Sequence, residues 1–290
     1  MPKHKRKTIH HGHTELTTIL ANVNSIRGKK LEVAQLISAS KPDILLLTET
    51  KLSKKITSSE IIDTDLYSVI RRDRSVRGGG VLVAVSNQLD GYECEVKCGT
   101  ESVYVVLHSQ NCPPTLIGVH YRPPDNRIKY LRLALKELRS AIELVNPDRI
   151  ILGGDFNLPG IDWNVPAAPP GTAHRKQSKL LLDTIESLNL TQVIPFPTRG
   201  KNTLDLLFTD APSLITHISK GPGLSDHETV FIKHQLRATV NKKAKREVPL
   251  YHKADWDSLR QDCSTFSDEY LSSNPREESV ETNWTRGGSH

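Results

Sequence analysis

The sequence predicts an α/β (α+β) protein of two packed, mostly antiparallel β-sheets flanked by helices, a four-layer sandwich. Short apolar or alternating runs of strand length outnumber the helical stretches. Many of those runs are neighbours along the chain. No internal repeat period appears, which sets aside a solenoid or propeller.

The regular pattern begins at Leu16, where LTTILANV reads as a strand. Lys29–Ser40 reads as a helix that stops before Pro42, because the residue preceding a proline is pushed out of the helical region. DILLLTET (Asp43–Thr50) is an apolar run short enough for a buried strand. Gly78–Gly80 punctuate a hairpin into VLVAVS, and strands follow near Tyr92–Val96, Ser102–His108 and Thr115–Tyr121. Asp125 is placed to cap a helix whose apolar residues, from Ile128 to Val145, recur by threes and fours and stop at Asn146-Pro147. RIILGGDFN is a strand ending in a loop. After the proline-rich Pro166–Pro170 comes an amphipathic helix, about Lys176–Leu188, then strands at Leu190–Ile194, Thr203–Phe208 and Thr229–Leu236.

These elements define a domain at 15–237, preceded by a basic flexible tail (1–14) and followed by a polar linker or truncated C-terminal segment (238–290). The net charge of +6 is unevenly spread, with +4 in residues 1–7, +1 in 8–232, +5 in 233–250 and −4 in 251–290. Such basic flanks suit nucleic-acid binding or nuclear import at the ends, or serve only as solvated linkers. With 37% hydrophobic residues, no apolar run of membrane-spanning length and no secretory leader, the protein is expected to be intracellular and nuclear, with no membrane partner. Cys94, Cys98, Cys112 and Cys263 lack zinc-finger spacing and are expected as reduced thiols. Nothing fixes the geometry of a metal site among His4, His10, His11 and His13.

Chemistry-bearing residues gather at strand ends: Asn22 and Asn24 after LTTILA, Glu49 closing ILLLTE, Tyr121 after LIGVH, and Asp155 and Asn157 after IILGG. Asp205 lies within TLDLLF, and Ser225, Asp226 and His227 precede the last strand. Carboxylates, amides and one histidine on rigid elements suit a metal and a phosphate. Phosphodiester hydrolysis gathers negative charge on the phosphoryl oxygens, which a hard cation with oxygen ligands stabilises. Glu49 and Asp226 are the candidate Mg²⁺ ligands, with Mn²⁺ as an alternative ion. Asp155 is the candidate for activating water, Asn157 for donating to the phosphate, and Asp205 for holding His227 as an imidazolium. Arg77-Gly78-Gly79-Gly80 lacks the Lys-Ser/Thr of a P-loop and leads into a strand, so its glycines serve a turn. Each piece alone also has an ordinary reading as a cap, a turn or a surface ion pair, Glu49 with Lys51 among them.

The ordered set is more specific. NVNS (22–25), LTETKL (47–52), GGGVLVAV (78–85), YRPP (121–124), GGDFN (153–157), PTR (197–199), TLDLLF (203–208) and LSDH (224–227) together resemble the endonuclease/exonuclease/phosphatase superfamily. Within it the likeness is greatest to the apurinic-endonuclease-like domain of non-LTR (LINE-type) retrotransposons. That resemblance covers residues 16–236 and implies a DNase I-like fold and Mg²⁺-dependent nicking of double-stranded DNA. It implies that Asn22 orients the catalytic carboxylate, Glu49 is the main metal ligand and Tyr121 contacts the scissile phosphate. Asp155 would activate water with Asn157 beside it, Asp205 and His227 would form a pair, and Asp226 would lie near the metal. Thr198 and Ser225 would contact the DNA backbone. Asn24 stands where apurinic-site enzymes tend to have aspartate, which weakens a second metal site. Arg199–Asn202 falls where the family has a hairpin that reaches into DNA. In a full-length element the partner would be a reverse transcriptase module. A phosphatase or phosphodiesterase of the same fold, and an inactive nucleic-acid-binding remnant, are the alternatives.

Overall fold

A computed structural model describes residues 14–109, 112–125, 127–236 and 255–272. The chain divides into two units, residues 1–242 and 243–290. In the first, one six-stranded sheet runs in the order β11 (Ile215–Gly221), β12 (Thr229–Leu236), β1 (Thr14–Asn22), β2 (Ile44–Thr48), β4 (Val81–Ser86), β3 (Tyr67–Arg72). The other runs β5 (Gly91–Glu93), β6 (Ser102–Ser109), β7 (Cys112–Tyr121), β8 (Arg149–Asp155), β10 (Asp205–Thr209), β9 (Thr191–Gln192). Each sheet holds a single parallel pair at its centre, β1 with β2 and β7 with β8, and every other pairing is antiparallel.

The side chains explain the layering. Leu16, Leu20, Leu46 and Val83 from the first sheet interlock with Val105, Ile117, Val119 and Leu207 from the second in one core. The reverse face of the first sheet, with Ile19, Leu45 and Leu47, packs on Val33 and Leu36 of α1 (Lys30–Ser40). The reverse face of the second packs on Leu131, Leu135 and Leu138 of α2 (Ile128–Val145) and on Leu181 and Ile185 of α3 (Arg175–Ser187). Because β2 and β4 are covered on both faces, they read as continuous apolar runs. Helix ends follow local chemistry, with Lys41 before Pro42 and Asn146 before Pro147 both left-handed at the C-caps.

Several elements differ from the sequence expectation. β3 and β11, unanticipated there, form the two edges of the first sheet, where half-buried side chains give no clean alternation. Asp125 is not the N-cap of α2; Arg127 is, and Asp125 Oδ1 accepts its N–H at 2.9 Å from outside the helix. In the second unit a helix, α4 (Trp256–Ser272), forms within the segment expected as a polar linker or truncated C-terminal piece; it buries none of its residues, although Trp256, Leu259, Phe266 and Tyr270 recur at helical spacing. The basic tail, most of the 238–290 segment and the import-like KKAKR run lie outside the described residues. No helix among the described residues is long and apolar enough to cross a membrane.

Two core histidines make stability depend on pH. Burial pushes the His120 pKa down to about 3, with the Arg122 charge adding to it, and burial alone pushes His234 down to about 4. His120 Nδ1 bonds Ser102 Oγ (2.8 Å) and His234 Nε2 bonds Thr18 Oγ1 (2.7 Å), and the other nitrogen of each ring is buried with no hydrogen-bond partner among the described residues. Between pH 6.5 and 4 the unfolded histidines take up protons that the folded ones refuse, so their contribution is complete above pH 6.5 and falls with pH. Over one pH unit within that window each costs about 1.4 kcal/mol. Urea unfolding of His234→Gln at pH 6 and pH 5 should therefore show a pH dependence shallower than wild type by about that amount. Identical slopes would mean that His234 is protonated in the native core.

Candidate active site

The fold brings the carboxyl ends of both parallel pairs to one end of the sandwich. Asn22 is in register with Thr48, the residue before Glu49, and Tyr121 is in register with Asp155. The antiparallel neighbours start at the same end, so Asp205 opens β10 opposite Asp155 and His227 lies just ahead of β12. Residues separated by up to 205 positions thereby meet at one place.

Asn22 is the bridge. Its Nδ2 donates to Asp155 Oδ2 at 2.8 Å and to Glu49 Oε1 at 3.2 Å, while its Oδ1 accepts the Asn24 N–H at 3.1 Å. Asp155 is fully buried and accepts two more bonds from Asn157, from the backbone N at 3.0 Å and from Nδ2 at 3.1 Å. Burial, reinforced by the nearby Asp205 charge, pushes the Asp155 pKa up to about 8 against the opposing pull of His227 and these donors. A carboxyl group raised this far keeps its proton at neutral pH; a cation bound beside it would draw the value down and leave a carboxylate aimed to accept a proton.

His227 Nδ1 lies 2.7 Å from Asp205 Oδ2, with both side chains almost fully buried. Burial draws the imidazole pKa down, but the Asp205 bond and charge, with Asp155 behind, outweigh it and leave the net value raised. The pair thus favours an imidazolium whose other nitrogen remains for a substrate. Thr198 sets the pair's backbone: its Oγ1 accepts the N–H groups of Leu204 (3.0 Å) and Asp205 (2.9 Å).

Tyr121 stands beside Glu49 and Asp155. Burial, then the charges of Glu49 and Asp155 and a hydrogen bond with Glu49, drive its hydroxyl pKa strongly upward, so it stays a neutral donor. Glu49 sits at φ 50°, a left-handed conformation costly for a side chain of its kind. Asn24, Ser25, Lys51 and Asn157 also have positive φ, so backbone strain gathers around this site. Lys51 Nζ is 3.3 Å from Glu49 Oε2 and also bonds Asn24 Oδ1.

A divalent ion suits these donors. Glu49 remains one-fifth exposed, and Asp205 Oδ1 is buried with no hydrogen-bond partner among the described residues. Asp155, Asp205 and His227 each bring one ligand-type atom within 4.8 Å of the others. Hard carboxylate oxygens in excess of local positive charge are what Mg²⁺ or Mn²⁺ binding requires.

Four of the expected site residues are engaged within the protein in this structure. Asp226 is not with the acidic cluster: Arg199 Nη2 holds its Oδ2 at 2.6 Å, and both side chains are about half exposed. Burial raises the Asp226 pKa slightly, but the Arg199 bond and charge leave it lowered. Thr198 is fully buried and its hydroxyl is already used, so it does not face DNA. Ser225 Oγ donates to Asn22 O at 2.6 Å and accepts the His227 N–H at 3.1 Å, pinning the SDH turn rather than presenting a free hydroxyl. Asn157 Nδ2 spends both hydrogens on Asp155 and on Arg122 O (2.8 Å), which makes it a holder of Asp155 and leaves no donor for a phosphate. Asn24 and Arg199 are exposed at the rim.

Sequence reasoning passed over Arg122, which is only 1% exposed. Its Nη1 donates to Asn157 O at 3.0 Å and its Nη2 bonds Asp125 O, so it ties the loop after Asp155 to the YRPP turn. The YRPP motif was the available signal.

The fold has close counterparts among solved structures. The endonuclease domain of TRAS1, a telomere-specific non-LTR retrotransposon, superposes with a TM-score of 0.60 at 19% identity, covering 77% of this chain and all of that one. The 3′ phosphatase NExo from Neisseria, solved with a product DNA hairpin, gives 0.60 at 14% identity, covering 76% of this chain and 100% of that one. The AP endonuclease LMAP from Leishmania major gives 0.60 at 15% identity, covering 77% and 88% respectively. At such identities these likenesses speak for the fold, and no curated protein sequence matches the chain. The family model described as the endonuclease/exonuclease/phosphatase family matches residues 19–227, and the chain belongs to that family of phosphoester hydrolases.

Proposed function

We propose that this protein is a Mg²⁺-dependent endonuclease that nicks one strand of double-stranded DNA, as the target-cutting domain of a non-LTR retrotransposon. The observation that carries the reading is the meeting of Asn22-oriented Asp155 with the Asp205–His227 pair beside Glu49. Asp155 takes the proton of the attacking water, and Asn22 and Asn157 aim its carboxylate. His227, held by Asp205, faces a phosphoryl oxygen as charge builds there, and Tyr121 donates its hydroxyl to the same phosphate. Glu49, with Asp226 once freed from Arg199, would hold the ion, which supplies Lewis-acid neutralisation of the phosphoryl charge. Asn24 and Arg199 at the rim would contact the DNA strands, the latter from the turn closed by Arg199 and Asn202.

The likeness to a retrotransposon endonuclease domain supports DNA as substrate, and the ordered motifs support a reverse transcriptase module as the partner in a full-length element. Nuclear residence is part of the same proposal and rests on the basic runs at 3–7 and 242–246.

Supercoiled plasmid incubated with the protein and Mg²⁺ should convert to the open circle, EDTA should stop it, and Asp155→Ala should lose it by about 10²–10⁴-fold. Release of phosphate from phosphoinositides without plasmid nicking would instead make the chain a phosphatase of this fold. DNA binding with no metal-dependent cutting would make it a remnant.

A further inference from the structure

Beside Tyr121 stands a cation to which the preceding reading assigns no task. Arg74, on the loop between β3 and β4, places its guanidinium 5.7 Å from the centre of the Tyr121 ring. Its Nη1 bonds Glu101 Oε1 at 2.8 Å and its Nε donates to Gly78 O at 2.9 Å. Nη2 makes no hydrogen bond to the protein among the described residues, and the side chain is 41% exposed. The guanidinium is thus gripped on one side and open on the other.

The grip is built into the sequence. Glu101 is almost buried and also accepts the Gly80 N–H. Gly79 and Gly80 turn the chain at positive φ, and Gly78 and Gly79 also leave room for this pair. A Cβ on Gly79 would lie 2.1 Å from Glu101 Oε2 and 2.5 Å from Arg74 Cζ, and one on Gly78 would lie 2.7 Å from Arg74 Nη2. The glycines therefore do more than turn the chain: they leave space for a carboxylate to hold an arginine at the mouth of the site. A merely structural arginine has no need of an open donor edge next to the residue that meets the scissile phosphate. Burying a carboxylate to orient a half-exposed guanidinium makes physical sense when that guanidinium meets an anion, because its planar fork matches phosphate oxygens.

We propose that Arg74 is a phosphate-binding residue for the DNA strand being cut, with Glu101 as the positioning residue that presents it. The inference rests on the nuclease reading and adds a contact to it. A charge that meets one phosphate contributes about 0.9 to the slope of log affinity against log salt, whereas a packing residue contributes nothing to it.

The test compares wild type, Arg74→Gln, Arg74→Lys and Glu101→Gln. Anisotropy of a labelled DNA duplex is followed across a salt series without divalent ion, plasmid nicking with Mg²⁺, and each thermal midpoint is recorded. Arg74→Gln should lower the salt slope by about one and raise KM about tenfold, with a smaller change in kcat. Arg74→Lys should keep the slope. Glu101→Gln should keep the slope and raise KM, since the charge survives but its placement loosens. An unchanged slope and KM in Arg74→Gln would overturn the proposal. So would equal losses of slope in Arg74→Lys and Arg74→Gln accompanied by equal drops in thermal midpoint, which would mark a packing role. If wild type neither binds the duplex nor nicks plasmid, the nuclease reading falls; if it does both while the variants match it, only the role of Arg74 falls.

Discussion

Replacing Asp205 by asparagine will lower the rate of DNA nicking at neutral pH by about 10²–10⁴-fold while leaving the protein folded. The substitution is nearly isosteric, and the amide oxygen can still accept from His227 Nδ1, so the ring keeps its place. What disappears is the negative charge. His227 owes its raised pKa to Asp205, first through the hydrogen bond and then through charge, against a burial that by itself favours the neutral ring. Without that charge burial wins, and the imidazole is neutral at the pH where the wild type holds an imidazolium. The residual activity of Asp205→Asn should accordingly move toward more acid pH, because protons must be supplied by the solvent to restore the cation. His227→Ala should show a similar loss without the acid displacement, since no ring remains to protonate. Nicking rates from single-turnover experiments over a pH series decide the matter. A rate for Asp205→Asn within about threefold of wild type, which is under 1 kcal/mol of barrier, would remove the pair from the chemistry.

Much of the fold was legible because burial writes itself into sequence. VLVAVS and ILLLT sit between two layers and read as apolar runs, while the α2 stripe repeats at helical spacing because a single face meets the second sheet. The edge strands β3 and β11 were invisible for the converse reason: with one neighbour and half-wet faces, YSVIRR and ITHISKG have no face to mark. At the site, the residue types at strand ends located Asn22, Glu49, Tyr121, Asp155, Asp205 and His227, because rigid strands bring what they carry to a common end. Side-chain direction was not legible. Thr198 and Ser225 are polar residues in the right loops, yet their hydroxyls turn inward to backbone groups that would otherwise lack partners. The Arg199–Asp226 and Arg74–Glu101 pairs span 27 residues each and depend on how loops fold back, which no local pattern encodes.

Gly154→Ala should be among the most disruptive single changes in the chain, although it adds one methyl group and touches no proposed catalytic atom. Gly154 pairs in register with His120 across the parallel β7–β8 ladder, at φ 149°, a region that side-chain-bearing residues rarely adopt. A Cβ there would lie 1.9 Å from the His120 carbonyl oxygen and 2.8 Å from its carbonyl carbon and amide nitrogen. These are backbone atoms of a central strand, so no rotamer change relieves the contact; the strands must part or Gly154 must change its dihedrals. Strain at such a position together with overpacking costs roughly 3–5 kcal/mol. The consequence reaches the chemistry because the next residue is Asp155, which is held by Asn22 at 2.8 Å and is in register with both Tyr121 and Asp205. A shift of β8 that accommodates the methyl carries the carboxylate out of that frame. Urea unfolding should therefore show the full destabilisation, and whatever fraction stays folded should nick DNA about a hundredfold more slowly, as expected when a reacting group is displaced by about 1 Å. The second glycine of GGDFN is then a site residue through its backbone alone. A Gly154→Ala protein within about 1 kcal/mol of wild-type stability and of undiminished activity would mean that the β7–β8 ladder has room the present geometry denies it.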